Sequence, residues 1–136
     1  MKKLIIIFAS LLILLSFAGC DTADIKVGTN DGVAYFHEGS ITPKMVLLGE
    51  TQTEFESDEF FEKLIKAIEF KKTTDAVCNC QPIYTVKIKK YTFELHSHGI
   101  TVKYPMGNGI KGIYVFSVNC TNEEMTAMFE ILQKVK

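Results

Sequence analysis

The chain lacks arginine and tryptophan, and it has only three prolines among its 136 residues. Without arginine, no planar guanidinium is present to hold a phosphate or a carboxylate through two parallel hydrogen bonds. An excess of positive charge is also absent, since 15 lysines face 16 acidic residues. The sequence therefore lacks the basic patch of a nucleic-acid-binding protein, and we predict no nucleic-acid partner.

Sequence motifs that carry catalysis are missing as well. The run from Gly107 to Gly112 matches a dinucleotide-binding fingerprint as a string, but a strand pattern follows it, whereas that fingerprint opens a helix. His37 and Glu38 begin like a zinc-peptidase motif, yet Ile41 stands where the second histidine is required. We therefore predict a protein that is not an enzyme and that carries no cofactor.

The first twenty residues are dominated by a largely apolar run from Leu4 to Leu15, preceded by Lys2 and Lys3. A short positive region, about a dozen apolar residues and then small residues are the layout of a secretory signal peptide. The alternative is a membrane-spanning helix, which needs about 20 apolar residues, more than this run supplies even when it is extended to Ala18. We therefore predict that residues 1–19 are a signal peptide.

This signal ends in the tetrapeptide Phe17-Ala18-Gly19-Cys20. The tetrapeptide resembles the bacterial lipobox, with Phe17 in place of the usual leucine. The resemblance implies that the Cys20 thiol carries a diacylglyceryl group and that a peptidase cleaves between Gly19 and Cys20. It also implies that the mature protein is anchored in the cell membrane by this lipid and faces away from the cytoplasm. Two acyl chains give stable anchoring, whereas one gives only reversible binding.

The remaining 117 residues suit one domain. Residues 20–24 supply a short lipidated tether, since four extended residues reach at most about 14 Å. Residues 25–136 then form the domain, and 13 lysines against 16 acidic residues give the mature chain a formal net charge of −3. We expect an acidic domain that lies close to the membrane surface.

Apolar patterning predicts an α+β fold. Alternating β-branched and aromatic residues mark strands over 83–89, 91–96, 100–104 and 112–118, which would form a meander, and shorter strand signals cover 25–27, 33–36 and 45–48. Amphipathic helices are predicted over 57–70 and from a capping box at 121–124 onward. The predicted architecture has two layers, with a mostly antiparallel sheet of about five to six strands packed by two helices.

Two cysteines and two histidines form a candidate metal site: Cys78, Cys80, His96 and His98. Thiolates and imidazoles in such sets bind copper or zinc. If residues 89–90 form a two-residue turn, strand parity puts His96 on the face opposite the core and Cys80 on the core face, which would prevent a joint metal site. A longer turn or a bulge would exchange the faces, so the metal site remains an alternative.

The cysteines also raise the question of a disulfide. With Cys20 lipidated, three thiols remain in an exported domain, where disulfides can form. We predict one bridge that joins Cys120 to Cys78 or to Cys80. A ring closed between Cys78 and Cys80 would be tight and more easily reduced.

Together these features predict a small lipid-anchored envelope protein that binds another protein or a cell-wall component near the membrane. One alternative is a metal- or redox-responsive protein that uses Cys78 and Cys80, and another is a membrane-anchored inhibitor or immunity protein. The order of a lipobox, a helix, a cysteine-containing lead into Pro82-x-Tyr84 and a final helix is similar to small lipoproteins of low-GC bacteria. That resemblance implies no particular partner and no functional residue.

Overall fold

The computed structural model describes residues 25–37 and 43–136. The predicted signal peptide, its cleavage site at Gly19 and Cys20, and the tether 20–24 lie outside the described residues. Within the described ranges there are nine strands and two helices: β1 Lys26–Asn30, β2 Val33–His37, β3 Met45–Leu48, β4 Thr53–Phe55, α1 Asp58–Ile68, β5 Thr73–Thr74, β6 Tyr84–Ile88, β7 Tyr91–Leu95, β8 Gly99–Pro105, β9 Ile113–Asn119 and α2 Asn122–Gln133.

Seven of these strands form one antiparallel sheet in the order β4-β3-β6-β7-β8-β9-β5, and β1 pairs with β2 in a separate hairpin. The predicted α+β class is confirmed, and so is the meander, which runs from β6 to β9. The sheet has more strands than the five to six predicted. The two missed strands, β4 and β5, span three and two residues, which is too short for an alternating pattern to be visible.

Both helices begin with a capped first turn. The Phe60 N–H donates to Ser57 Oγ at 3.1 Å before α1, and Thr121 and Glu124 exchange hydrogen bonds in a capping box before α2. Each bond satisfies an amide that the first turn of a helix otherwise leaves without a partner. The first helix ends two residues earlier than its apolar pattern predicts, because the chain turns away at Phe70, whose φ is 63°.

Both helices cover the same face of the sheet. Phe60 of α1 meets Phe55 with ring centroids 5.6 Å apart, and Phe129 of α2 meets Tyr84 at 5.4 Å. The buried side chains of α1 and α2 form one hydrophobic cluster with those of the sheet. Among the described residues, neither helix has the length and apolarity to span a bilayer.

An ion pair links the two helical segments at their ends. Lys71 Nζ, which follows α1, contacts both carboxylate oxygens of Glu124 at 2.8 and 3.0 Å. Partial burial raises the pKa of Glu124, but the hydrogen bonds from Lys71 and Thr121 lower it more, so the net pKa lies below the ordinary value. The carboxylate of Glu124 therefore stays charged at neutral pH and holds the start of α2 against the end of α1.

The connection between β5 and β6 determines where the candidate site forms. The sheet order places β5 at one edge and β6 beyond β9, β8 and β7, so residues 75–83, which we call the crossing connection, must pass these three strands. It passes over the face opposite the helices, at the end of the sheet where His96, Thr101 and Ser117 are buried. The crossing connection therefore covers one end of this outer face, where neither of the two described helices packs.

Candidate functional site

His96 is held at the outer face by the turn between β7 and β8. The turn at residues 89–90 does have two residues, because Ile88 pairs with Tyr91 and Tyr84 pairs with Leu95. The side chains of Phe93 and Leu95 are accordingly buried in the core, and His96 belongs to the outer face. His96 follows Leu95 directly, and its N–H donates to the Gly99 carbonyl at 2.9 Å. The His96 side chain is only 7% exposed, which is unusual for a histidine outside the core.

The crossing connection brings both cysteines to this histidine. Cys80 Sγ lies 3.5 Å from His96 Nδ1, and the Cys80 N–H donates to Cys78 Sγ at 3.2 Å. The expectation that the cysteines and His96 lie on opposite faces is therefore wrong. The expectation assumed that side chains alternate between the two faces of the sheet as far back as Cys80. The strand β6 begins only at Tyr84, so this alternation does not apply to the residues before it.

The disulfide prediction is wrong as well. Cys78 and Cys80 are joined to each other, with their Cα atoms 5.2 Å apart, and Cys120 is free. Cys120 Sγ donates to the Ala67 carbonyl of α1 at 3.5 Å, so this thiol lies on the helix side of the sheet. Burial, together with the negative charge of Glu124, raises the pKa of Cys120 to about 11 and keeps it a neutral thiol.

Three of the four predicted metal ligands come together. The sulfurs of Cys78 and Cys80 and a ring nitrogen of His96 all lie within 4.8 Å of one another. In a tetrahedral site with metal–sulfur bonds of about 2.3 Å and metal–nitrogen bonds of about 2.05 Å, sulfur and nitrogen are roughly 3.5 Å apart. The observed separation between Cys80 and His96 matches that value. His98 is exposed and lies outside this set of three.

The other ring nitrogen of His96 faces a carboxylate. His96 Nε2 is buried without a hydrogen-bond partner, and Glu94 Oε2 lies 4.0 Å from it. Glu94 is itself held by Lys103 at 2.5 Å. A carboxylate that accepts a hydrogen bond from the second ring nitrogen of a metal-binding histidine fixes the orientation of the ring. Glu94 lies on that side of His96, at a distance longer than a hydrogen bond. Glu94 was not predicted as a site residue, although its position two residues before His96 on the same strand face was the available signal.

A cavity of about 210 Å³ adjoins the cysteines and His96. Its floor includes Thr101 and Ser117, whose hydroxyl groups bond each other at 2.8 Å, and its wall includes Ala76 and His98. Since each water occupies about 30 Å³ in the liquid, the cavity has room for several waters or one small molecule. Because Cys78 and Cys80 are themselves exposed, ions and small reactants can reach their sulfurs.

Comparison with known proteins returned no significant match to a protein-family model, a curated protein or a solved structure. The geometry of the cysteines, His96 and Glu94 is therefore the basis for assigning the site. Once the Cys78–Cys80 disulfide is reduced, two sulfurs and an imidazole beside a small cavity are suited to binding a thiophilic metal ion.

Proposed function

We propose that this chain is a lipid-anchored envelope protein that binds a thiophilic metal ion, Zn(II) or Cu(I), at Cys78, Cys80 and His96 when the two cysteines are reduced. The observation that supports this most directly is the 3.5 Å approach of Cys80 Sγ to His96 Nδ1. Two soft thiolates and one imidazole select copper(I) and zinc over magnesium or calcium, which prefer oxygen ligands. This contact favours the metal-binding alternative over a general binding module.

Loading the site requires a small local movement. After reduction the two sulfurs must separate from bonding distance to roughly 3.8 Å, the spacing set by two metal–sulfur bonds at a tetrahedral angle. Cys78 and Cys80 are exposed and lie outside any helix or strand, so no ladder hydrogen bond has to break. For zinc, the cavity supplies space for a water as the fourth ligand. His96 keeps its position, because the turn and the sheet hold it.

Metal titration of the reduced protein tests the site. The full chain, extracted in detergent, reduced with a phosphine and desalted without oxygen, is expected to bind one Zn(II) or one Cu(I) per chain against a chromophoric chelator. Cys80→Ser removes a ligand, and we expect it to weaken binding by more than about 100-fold, beyond the usual effect of losing an outer-shell partner. X-ray absorption should show two sulfurs and one imidazole nitrogen around the ion, with one further oxygen where zinc is bound.

Cys120→Ser is the matched control for this titration, because its thiol lies on the helix side and contacts Ala67 instead of His96. This variant is expected to bind metal like the unchanged protein. Reduced protein that binds neither ion, or Cys80→Ser protein that binds as tightly as the unchanged chain, would contradict the proposed metal site.

The lipid anchor is tested separately. Cys20→Ala removes the thiol that the lipobox resemblance implies carries the diacylglyceryl group. We expect the variant to move from the membrane fraction to the soluble fraction and to lose the mass of the lipid, as measured by fractionation and intact mass spectrometry. Cys120→Ala should remain with the membrane. A Cys20→Ala protein that stays membrane-bound and shows no mass change would contradict the anchor without affecting the metal site.

A further inference from the structure

We infer that the Cys78–Cys80 disulfide is a reversible gate on the metal site: the oxidised chain excludes the ion, and two electrons from an external dithiol admit it. The inference rests on the proposed function, since it specifies what regulates that same site. The observation behind it is that the two sulfur atoms joined in the disulfide are also two of the three candidate metal ligands.

Oxidation removes most of the ligand set. In the disulfide, each sulfur is bonded to the other and carries no negative charge, whereas metal binding uses thiolates. His96 is then the one remaining ligand of the three. A single neutral imidazole cannot replace two anionic sulfurs, so the oxidised site is expected to lose nearly all of its affinity.

The position of the disulfide makes it accessible to exchange. Cys78 and Cys80 are both exposed, and the cavity of about 210 Å³ opens beside them. Their sequence separation is two, so the bridge closes a very short loop, and the stabilisation of a folded chain by a disulfide is smallest for short loops. Access together with weak stabilisation is typical of a labile or regulatory disulfide.

Cys120 provides a contrast within the same chain. Its thiol is half-buried and its pKa is raised to about 11, so at neutral pH almost none of it is the reactive thiolate. The structure thereby separates one inert thiol on the helix side from two exchangeable sulfurs on the outer face. Exchange chemistry is expected to stay between Cys78 and Cys80 without scrambling to Cys120.

Reduction of the Cys78–Cys80 disulfide by an external dithiol takes two exchange steps. A thiolate of the external dithiol attacks one sulfur, the Cys78–Cys80 bond breaks, and a mixed disulfide forms while the other cysteine leaves as a thiolate. The second thiol of the reagent then attacks the mixed disulfide, releases the second cysteine and leaves the reagent as a disulfide. Two electrons have entered the protein, and the metal ion replaces the thiol protons. An external disulfide runs the sequence in reverse and frees the ion.

Zinc release during oxidation tests this gate on the full chain. Reduced protein is loaded with Zn(II), desalted and treated with a small-molecule disulfide, while a chromophoric indicator records free zinc and peptide mapping records cysteine pairing. We expect one zinc to be released for each Cys78–Cys80 bond formed, and full rebinding after reduction and readdition of zinc. Cys120→Ser should behave identically, because its thiol takes no part.

The possible results of this experiment distinguish failure of the redox gate from failure of the metal site. Oxidised protein that binds zinc as tightly as reduced protein would overturn the gate and leave the proposed metal site standing. Release accompanied by a bridge to Cys120 would also overturn it, since the gate requires a bond between Cys78 and Cys80. Reduced protein that never binds zinc or Cu(I) would overturn both the proposed function and the gate that rests on it.

Discussion

Replacing Phe93 with alanine is expected to lower the free energy of unfolding by about 4 kcal/mol, the usual cost of deleting a fully buried aromatic side chain. Phe93 is 0% exposed and stands in the middle of β7, opposite Val86 of β6 and Val102 of β8. Few atoms can move inward to fill the cavity, because both cross-strand neighbours are also 0% exposed and held by the ladder. A loss of this size would be a large part of the 5–15 kcal/mol typical of a domain.

Urea unfolding followed by circular dichroism measures this loss, and Phe70→Ala is the matched control. Phe70 is 82% exposed, so removing its ring is expected to change the free energy of unfolding by less than about 0.5 kcal/mol. Equal losses in the two variants would contradict the core position of Phe93. If Phe93→Ala does not fold, Phe93→Leu should fold and show an intermediate loss, since it keeps part of the buried volume.

Replacing Gly99 with alanine is expected to cost about 2 kcal/mol, within the usual range for overpacking. A β-carbon on Gly99 would lie 2.2 Å from the Val118 carbonyl oxygen of β9, and a backbone atom cannot rotate away as a side chain does. The strand β8 must therefore shift away from β9. The shift would also displace the turn, because the Gly99 carbonyl accepts the hydrogen bond from the His96 N–H.

The same substitution should affect metal binding, since His96 is a candidate ligand held by that turn. We expect the affinity of reduced Gly99→Ala for Zn(II) to fall by roughly tenfold, the lower end of the effect of disturbing a ligand's support. Gly107→Ala is the control, because a β-carbon there meets nothing within 4 Å. A Gly99→Ala protein with unchanged stability and unchanged Zn(II) affinity would contradict this prediction. It would show that β8 and β9 can move apart without a loss of folding free energy.

The parts of the fold that could be predicted from the sequence are those that depend on residues close together along the chain. The pairing of Tyr84 with Leu95 follows from a two-residue turn, and the capping box at Thr121 and Glu124 is a four-residue signal. The meander follows because each strand pairs with the next one along the chain. Predicting these features requires no information about contacts between residues that are distant in sequence.

The site was harder to predict, because it depends on where an irregular segment crosses the sheet. Parity is a property of strands, and it gave the right face for His96 but the wrong one for Cys80, which lies before β6 begins. The partner of Cys120 was mistaken for a related reason, since the side of the sheet on which a thiol lies depends on tertiary packing against Ala67. The residue types therefore pointed to cysteine and histidine as candidate metal ligands. Which of these side chains lie close together depends on the tertiary structure.

The shortness of the two outermost strands has a consequence for self-association. An open sheet edge presents unpaired amides and carbonyls on which a second chain can build a strand, and short edge strands are one way in which native sheets avoid aggregation. Here the edges are β4 and β5, three and two residues long, and the β5 side is partly occupied by the bond from the Thr73 N–H to Gly32 O. Neighbouring chains at high local concentration would therefore find little template for joining their seven-stranded sheets edge to edge.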